Sequence, residues 1–382
     1  MRIGVPPQLN VISAEHTPST SHERAASGGG IFGKLLKLLP CSGNGIGVEM
    51  QRDALLNSLG EIREHFGTLR SQNWSPDQQE FDFDRAMLPL LIRAENNRHG
   101  NAPITYTTAN SIASLASPES KQVLFNVPLT QHMVAADIRM VNGNLSAIVI
   151  EPLYQSSTLR NERVIDMLES GLPPNARVSV LAMDAQKSVS GCRIFALSAA
   201  HKLAKDPEWC STLHMANMTS PQAFAQASGA ELEQVHSKIT LFNARQSASI
   251  QLMKHAQARS SLVHWAADKG GDAALAQPVN KRGLSLQERF DEHTTSRYTI
   301  KEARDGTESL HKLNMSASIE DKRLQYIDRA MAYLATAPKQ VIRETAAQFD
   351  RDIDGILMPS QKGLKLNARA VGPYDSIAPR LS

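Results

Sequence analysis

The chain has 382 residues, a formal net charge of +3 and a hydrophobic fraction of 41%, enough for a sizeable core in one catalytic domain with helical additions. The small net charge does not predict nucleic-acid binding. The sequence also lacks a P-loop, a dinucleotide fingerprint and zinc-ligand spacing, so no metal site is predicted. The three cysteines, Cys41, Cys192 and Cys210, are widely separated, which favours reducing surroundings over a disulfide framework.

Residues 1–45 are rich in Ser, Gly, Thr and Pro and have no apolar run long enough for a Sec signal or a transmembrane helix. We predict a disordered secretion and targeting leader. Within it, residues 31–41 carry an apolar face with Lys34 and Lys37 together, and Cys41 is a candidate acylation site. This segment is either an amphipathic membrane-surface segment or a short core or docking helix.

Hydrophobic periodicity predicts helices first, then strands, then a mainly helical later half. The predicted helices cover 48–70, 75–97 and 109–115, and the predicted strands cover 121–129, 132–141, 144–151 and 177–184. A helix over Ile319–Ala335 has one apolar face. After Asp354 the chain has no clear periodicity, so we expect a loosely ordered tail.

A hairpin is predicted around Asn142-Gly143, a dipeptide that favours a two-residue turn between two strands. Such a turn sets Val134 opposite Glu151 and makes His132 a diagonal neighbour of Glu151 on the same face. Diagonal neighbours have Cα atoms about 7–8 Å apart, within reach of the two side chains. The register therefore predicts a His–Glu ion pair, and the alternative is a solvent-exposed pair at the strand ends.

Cys192 follows a predicted strand and begins an apolar helix. The N-terminus of a helix favours an anion, so this position lowers the pKa of a thiol. A cysteine nucleophile needs a base and a group that orients the base, which His132 and Glu151 supply. Gln186 lies six positions before Cys192. The alternative for Cys192 taken alone is a buried filler residue.

The order His132, Glu151, Gln186, Cys192 resembles the YopJ family of bacterial type III secreted effector acetyltransferases. The similar blocks are residues 93–98, 132–137, 151–152, 184–188, 252–255, 279–282, 289–291, 316–319 and 323–324. The resemblance covers residues 80 to 335. Gly191 and Arg193 depart from it, because many members carry an acidic residue before the nucleophile and a small or aliphatic residue after it.

The resemblance implies an α+β fold: a cysteine-protease-like mixed sheet of the SUMO-protease type with a nucleophile helix, plus N- and C-terminal helical regulatory regions. The implied division is 1–45 leader, 46–100 N-terminal regulatory helices, 101–265 catalytic core, 266–350 C-terminal helical regulatory region and 351–382 tail.

The resemblance also implies a two-step acyl transfer. Cys192 attacks acetyl-CoA, His132 moves protons and Glu151 orients His132. Gln186 and the backbone N–H of Cys192 form an oxyanion hole. The acetyl group then passes to Ser, Thr or Lys of host signalling proteins such as kinases. The protein would be secreted by a type III system into the host cytoplasm, with membrane association as an option.

The family's allosteric activator, inositol hexakisphosphate, implies a set of converging cations. Arg98 is the first candidate, followed by Lys281, Arg282 and Arg289. Lys254 matches a family lysine associated with activity and autoacetylation. The positive charges available for CoA phosphates are Lys254, His255, Arg259, Lys281 and Arg282. The alternative for these basic residues is a solvated helix face.

Two other functions share this pattern. A cysteine protease acting on ubiquitin-like conjugates also forms an acyl-cysteine, and it would need a groove for an extended, glycine-ended peptide. A catalytically inactive protein that only binds host kinases would not need an intact Cys192, and it would keep its effect in the Cys192→Ala variant.

Overall fold

The computed structural model describes residues 47–76, 78–100, 104–154, 157–188, 190–302 and 308–357. The predicted leader, including the amphipathic segment and Cys41, lies outside these residues, and so do residues 358–382 of the predicted tail. None of the described helices is both long and apolar enough to span a membrane.

Long helices precede and follow a mixed sheet. The helices are α1 (Val48–Ser71), α2 (Gln78–His99), α3 (Ile112–Leu115), α4 (Glu162–Ser170), α5 (Cys192–Leu203), α6 (Pro207–Thr219), α7 (Pro221–Ser228), α8 (Ile250–Met253), α9 (Arg259–Ala266), α10 (Asp272–Leu275), α11 (Leu286–His293), α12 (Ser318–Thr336) and α13 (Lys339–Leu357). The strands are β1 (Thr105–Thr108), β2 (Lys121–Asn126), β3 (Met133–Val141), β4 (Asn144–Glu151), β5 (Arg177–Ala182), β6 (Glu231–Val235), β7 (Ile239–Asn243), β8 (Thr294–Glu302) and β9 (Glu308–Ser316).

Seven of the strands in the described part of the chain form one sheet, in the order β1-β2-β3-β4-β5-β7-β6. β4, β5 and β7 run parallel, and β3 runs antiparallel to β4. The carboxyl ends of the parallel strands and the start of β3 therefore meet at one edge of the sheet. This edge brings together residues that lie far apart in the sequence.

The predicted hairpin register is confirmed. Val141 pairs with Asn144 and Ala135 pairs with Ile150. The turn residues Asn142 and Gly143 have φ angles of 51° and 80°, the positive values that a type I′ turn requires at both central positions. The strand starts at Met133, so His132 lies just before it.

Each face of the sheet buries its own apolar cluster. One cluster contains Val134, Ala136 and Ile138 of β3 together with Leu145, Ala147 and Val149 of β4. On the other face lies α5, which is buried from Cys192 through Ala200. A helix that is apolar all round is expected at the centre of a fold, and α5 packs between β3 and helices α2 and α12.

The N- and C-terminal helices pack on one another through buried ion pairs as well as apolar contacts. Arg323 of α12 donates two hydrogen bonds of 2.8 Å to the carboxylate of Asp84 in α2. Arg329 of α12 lies 3.1 Å from Glu95 of α2. The two regions that the sequence places at opposite ends of the catalytic core thus form one helical layer against α5.

The later half is mainly helical, but it contains strands that the sequence analysis did not predict. In the described residues, β6 and β7 complete one side of the sheet and β8 and β9 form a separate hairpin. β6 and β8 are mostly polar and lack strict apolar alternation, which explains why periodicity missed them. β1 and α4 were missed as well. α13 continues to Leu357, so the first residues of the predicted tail are helical.

Candidate active site

The imidazole of His132 and the carboxylate of Glu151 meet at the sheet edge. His132 Nε2 lies 2.8 Å from Oε1 and 3.0 Å from Oε2 of Glu151. Glu151 is fully buried and also accepts hydrogen bonds from the Leu153 backbone N–H (2.9 Å) and the Ser157 hydroxyl (3.0 Å). The predicted ion pair is therefore present, and the carboxylate that orients His132 is itself held by two further donors.

Cys192 is the first residue of α5, and Gly191 precedes it with φ +105°. An L side chain is strained at this φ, so a glycine here is a conformational requirement. The Cys192 thiol interacts with His132 and with the backbone N–H of Met133. Because Nε2 of His132 is engaged by Glu151, Nδ1 is the ring nitrogen left for the thiol.

The electrostatics of the pair favour a thiolate beside an imidazolium. Burial by itself raises the pKa of the Cys192 thiol, but its hydrogen bond with His132 and the charges of His132 and Arg193 outweigh burial, and the pKa falls below its ordinary value. Burial by itself lowers the pKa of His132, but Glu151 and Cys192 outweigh it and raise the pKa to about 10. A lowered thiol pKa beside an imidazole is the arrangement that a cysteine nucleophile needs.

Arg193, the second departure from the family pattern, lies beneath this site. Its side chain is buried, its guanidinium carbon lies 3.7 Å from the centre of the Phe81 ring, and it donates to the Phe81 carbonyl oxygen at 3.2 Å. The aromatic face and the carbonyl compensate for the buried charge. The charge in turn favours the Cys192 thiolate.

Gln186 lies in the loop that leads to Cys192. Its backbone N–H donates to the Pro152 carbonyl oxygen at 2.9 Å, which ties this loop to the end of β4. Its amide nitrogen donates one hydrogen to the Ser188 carbonyl oxygen at 2.7 Å, so a second amide hydrogen remains for a ligand.

Gln257 holds the same loop, and the sequence analysis missed it. Its side-chain oxygen accepts from the backbone N–H groups of Lys187 (2.6 Å) and Ser188 (2.9 Å). Its own backbone N–H donates to the Ala185 carbonyl oxygen at 2.9 Å. No local signal identifies Gln257, because its partners lie about seventy positions earlier in the chain.

A second site, which we call the basic cavity, is lined by the C-terminal half of α5, the helix that begins at Cys192. Its volume is about 580 Å³, and its walls come from α2, α5, α8 and α12. The cations that line it are Arg98, Lys202, Lys205, Lys254, Lys322 and Arg329, accompanied by the histidines His99, His201 and His255. Glu95 and Asp206 are its acidic lining residues in the described part of the chain.

These cations repel one another. Burial, followed by the charges of neighbouring lysines, lowers the pKa of Lys202 well below its ordinary value. Burial also lowers the pKa of Lys254 and brings the pKa of Lys322 to about 8. Cations held together in this way gain most from a polyvalent anion, which removes the repulsion and returns each pKa upward.

The predicted cofactor-binding residues divide between the basic cavity and the surface. Arg98, Lys254 and His255 line the cavity. Arg289 lies near it, because its charge lowers the pKa values of Lys254 and His255. Lys281 and Arg282 are exposed and do not line it. Arg259, named above as a possible CoA-phosphate contact, pairs with Asp291 at 3.2 Å. The cavity residues Lys202, Lys205, Lys322 and Arg329 were not predicted.

The mixed sheet, the buried helix that begins at the cysteine and the Cys–His–Glu cluster at the sheet edge make up a cysteine-protease-like fold. A solved structure of HopZ1a in complex with inositol hexakisphosphate and CoA matches with a TM-score of 0.56 and 18% identity, over 74% of this chain and 98% of that one. A structure of an AvrA variant with the same two ligands matches with a TM-score of 0.54 and 20% identity, over 72% of this chain and 98% of that one.

Sequence comparisons agree with this fold. The chain is 23% identical over 246 residues to the serine/threonine-protein acetyltransferase YopJ of Yersinia pestis, covering 60% of this chain and 78% of that protein. It is 26% identical over 234 residues to HopZ1a of Pseudomonas syringae pv. syringae, covering 56% of this chain and 61% of that protein. The model of the YopJ serine/threonine acetyltransferase family matches residues 55–329.

The chain therefore belongs to the YopJ serine/threonine acetyltransferase family. The predictions of this family, of the cysteine-protease-like fold class and of an acetyltransferase are confirmed. The roles of individual residues stay predictions.

Proposed function

We propose that the protein moves an acetyl group from acetyl-CoA through Cys192 to Ser or Thr, and also Lys, side chains of host proteins. One observation supports the residue roles: the Cys192 thiol is hydrogen-bonded to the His132 ring, and Glu151 holds that ring at 2.8 Å. This arrangement supplies a nucleophile, a base and an orienting carboxylate in contact.

In the first step the Cys192 thiolate attacks the thioester carbonyl of acetyl-CoA. A new bond forms between the Cys192 sulfur and the acetyl carbon, and the bond from that carbon to the CoA sulfur breaks. CoA leaves as a thiol after it takes the proton carried by His132. Glu151 keeps the ring oriented while its charge changes.

In the second step an acceptor hydroxyl or amine attacks the acetyl-cysteine. His132, now neutral, accepts the acceptor's proton, and Cys192 leaves again as a thiolate. Gln186, through its second amide hydrogen, and the backbone N–H of Cys192 are our candidates for stabilising the oxyanion in both steps. Each such donor is worth about 2.7–4 kcal/mol in enzymes of this kind.

We assign the basic cavity to an inositol polyphosphate that activates the enzyme. The HopZ1a and AvrA structures contain inositol hexakisphosphate and CoA. In this chain Arg98, Lys202, Lys254, Lys322 and Arg329 line a cavity with few opposing charges. Burial and neighbouring cations lower the pKa values of Lys202, Lys254 and Lys322, which supports a site that stabilises a polyanion more than an ordinary surface does.

The acceptors are host signalling proteins, and kinases are the partner class that we propose. Delivery by a type III system into the host cytoplasm fits the predicted leader. A membrane contact through residues 31–41, with Cys41 as an acylation site, belongs to the same proposal. No nucleic-acid partner is expected from the small net charge.

The test is the intact mass of purified full-length protein after incubation with acetyl-CoA, with and without inositol hexakisphosphate, beside Cys192→Ala. We expect mass gains in steps of one acetyl group, only with the polyanion and only in the unsubstituted chain. Cys210→Ala is the matched control, because Cys210 is also buried and has no role in this mechanism. It should behave like the unsubstituted protein.

Two outcomes would contradict the proposal. Equal acetylation by folded Cys192→Ala would remove Cys192 from the reaction. Absence of any mass gain in the folded protein, followed by reaction of Cys192 with ubiquitin-like probes, would favour the cysteine protease.

A further inference from the structure

A cluster of metal-ligand side chains lies in one wall of the basic cavity, and acetyl transfer does not use it. Glu95 and His99 occupy successive turns near the end of α2, and His201 faces them from α5. Glu95 Oε2 lies 3.5 Å from His99 Nε2 and 3.7 Å from His201 Nε2. The Glu95 side chain is 2% exposed, so bulk water cannot be its principal partner.

Two hydrogen-bond acceptors face each other in this cluster, namely His201 Nε2 and the Glu95 carboxylate. His201 Nδ1 lies 2.8 Å from the Leu197 carbonyl oxygen, and because a carbonyl only accepts, Nδ1 carries the proton. His201 Nε2 is buried and has no hydrogen-bond partner in the described residues. With the proton on Nδ1, Nε2 presents an electron pair toward the Glu95 carboxylate, whose Oε2 lies 3.7 Å away. A cation between them removes this repulsion.

The spacing suits a small transition-metal ion. The three candidate ligand atoms all lie within 4.8 Å of one another. Ligands in a tetrahedral zinc site, with bonds of about 2.0–2.1 Å, lie about 3.3–3.4 Å apart. The separations of 3.5 and 3.7 Å from Glu95 Oε2 to the two imidazole nitrogens are within a few tenths of an ångström of this value, and the two imidazole nitrogens lie within 4.8 Å of each other.

We propose that Glu95, His99 and His201 bind a divalent transition-metal ion of the zinc class. Two imidazoles and one carboxylate form a donor set that zinc accepts. The fourth position opens into the basic cavity, because all three residues line it. The ion would connect the end of α2 to α5, the helix that begins at Cys192.

Neighbouring cations set the expected affinity. Arg329 lies 3.1 Å from Glu95 Oε1 and 3.3 Å from Oε2, and Arg98 lies 3.7 Å from Oε2. Both weaken the attraction of Glu95 for a metal ion, so we expect moderate affinity. Arg329 also fixes the carboxylate so that Oε2 faces the rings, as outer hydrogen bonds do in known metal sites.

This inference goes beyond the proposed function and does not depend on it. Its test uses no acetyl-CoA and no polyanion. A negative result for the metal site therefore leaves the proposed acetyl transfer unaffected, and the reverse is also true. The protein is the full chain carrying Cys192→Ala, because the Cys192–His132 pair is itself a potential zinc ligand set. After removal of metal with a chelator, Zn²⁺ is titrated by calorimetry.

We expect one Zn²⁺ per chain, with affinity lowered at least tenfold by His99→Ala and by His201→Ala. The matched control is His264→Ala, a half-buried histidine of α9 outside the cluster, which should bind like the parent. If His201→Ala does not fold, His201→Gln keeps the size of the side chain and removes the ring nitrogen. X-ray absorption at the zinc edge should then identify two imidazole nitrogens and a carboxylate oxygen.

The proposal is overturned if the parent protein binds no Zn²⁺. It is also overturned if His99→Ala, His201→Ala and His264→Ala bind with equal affinity, because the metal would then lie elsewhere.

Discussion

The sheet edge and the basic cavity treat buried charge in opposite ways. At the sheet edge each charged group has an internal partner: Cys192 pairs with His132, His132 with Glu151, and Glu151 also accepts from Ser157. In the basic cavity the cations outnumber the carboxylates, and burial and neighbouring cations lower the pKa values of Lys202 and Lys322. The first site is preorganised for reaction, whereas the second leaves its charge to be compensated by a ligand.

This difference separates two kinds of functional site. A reacting group must hold its partners before the substrate arrives, because reorganisation during the reaction costs rate. A regulatory site gains control by being incomplete, because the free energy of compensation is then released only when the ligand binds. Substitutions should therefore change the chemical step at the sheet edge and change ligand dependence at the basic cavity.

The largest effect is expected from Glu151→Gln, which removes the negative charge that compensates the protonated His132 ring. Without the carboxylate charge, the pKa of His132 falls from about 10 and the pKa of the Cys192 thiol rises toward its ordinary value, so less thiolate exists at neutral pH. We expect acetyl transfer to fall by about 10³–10⁴-fold, as in other triads. The ultraviolet absorbance of the thiolate against pH, with Cys192→Ala subtracted, measures the shift.

In the parent protein this absorbance should persist at pH values below 9, the ordinary pKa of a thiol. Cys210 should not contribute, because burial raises its pKa. A Glu151→Gln protein with an unchanged titration would show that Glu151 does not control the pair.

The next effect concerns the basic cavity. Lys202→Met removes a half-buried cation whose pKa is lowered by burial and by neighbouring lysines. We expect the variant to be at least as stable as the parent without ligand, and to bind inositol hexakisphosphate roughly tenfold more weakly or worse, because a charged hydrogen bond is lost. Thermal unfolding with and without the polyanion measures both. If inositol hexakisphosphate raised the unfolding temperature equally in the parent and in Lys202→Met, our assignment of the cavity would be refuted.

A smaller effect is expected from Gln257→Ala, which removes the acceptor of the Lys187 and Ser188 backbone N–H groups. Leaving such donors unsatisfied costs about 1–3 kcal/mol. If about 1.4 kcal/mol of this cost raises the activation free energy, acetyl transfer slows about tenfold. Gln257→Glu keeps the acceptor and should restore much of the rate. Gln226→Ala, on an exposed position of α7, is the control and should leave the rate unchanged.

The smallest effect should come from Arg282→Ala. Arg282 is exposed and pairs with Glu292 at 3.0 Å, so the free energy of unfolding should change by less than about 1 kcal/mol. The affinity for inositol hexakisphosphate should not change, because Arg282 does not line the basic cavity. A large loss of affinity, measured by calorimetry, would extend the polyanion site beyond the cavity walls.

The sequence predicted the sheet edge well because its determinants are local. Asn142-Gly143 fixes the turn, the two-residue period of a strand fixes the register, and these place His132 beside Glu151. The helix after Gly191 likewise begins where the apolar periodicity starts, so Cys192 could be placed at its first turn. The short or polar strands β6 and β8 carried too weak a pattern to be recognised.

The sequence by itself determined the hairpin register, the helix that begins at Cys192 and the family resemblance, since each depends on residues close together in the chain or on motif order. Only the tertiary structure decided which cations converge. Lys202, Lys254 and Lys322 come from separate segments, and the same is true of Glu95 and His201. Local periodicity shows which face of a helix is polar, but uncompensated charge arises only where several helices pack together and exclude water.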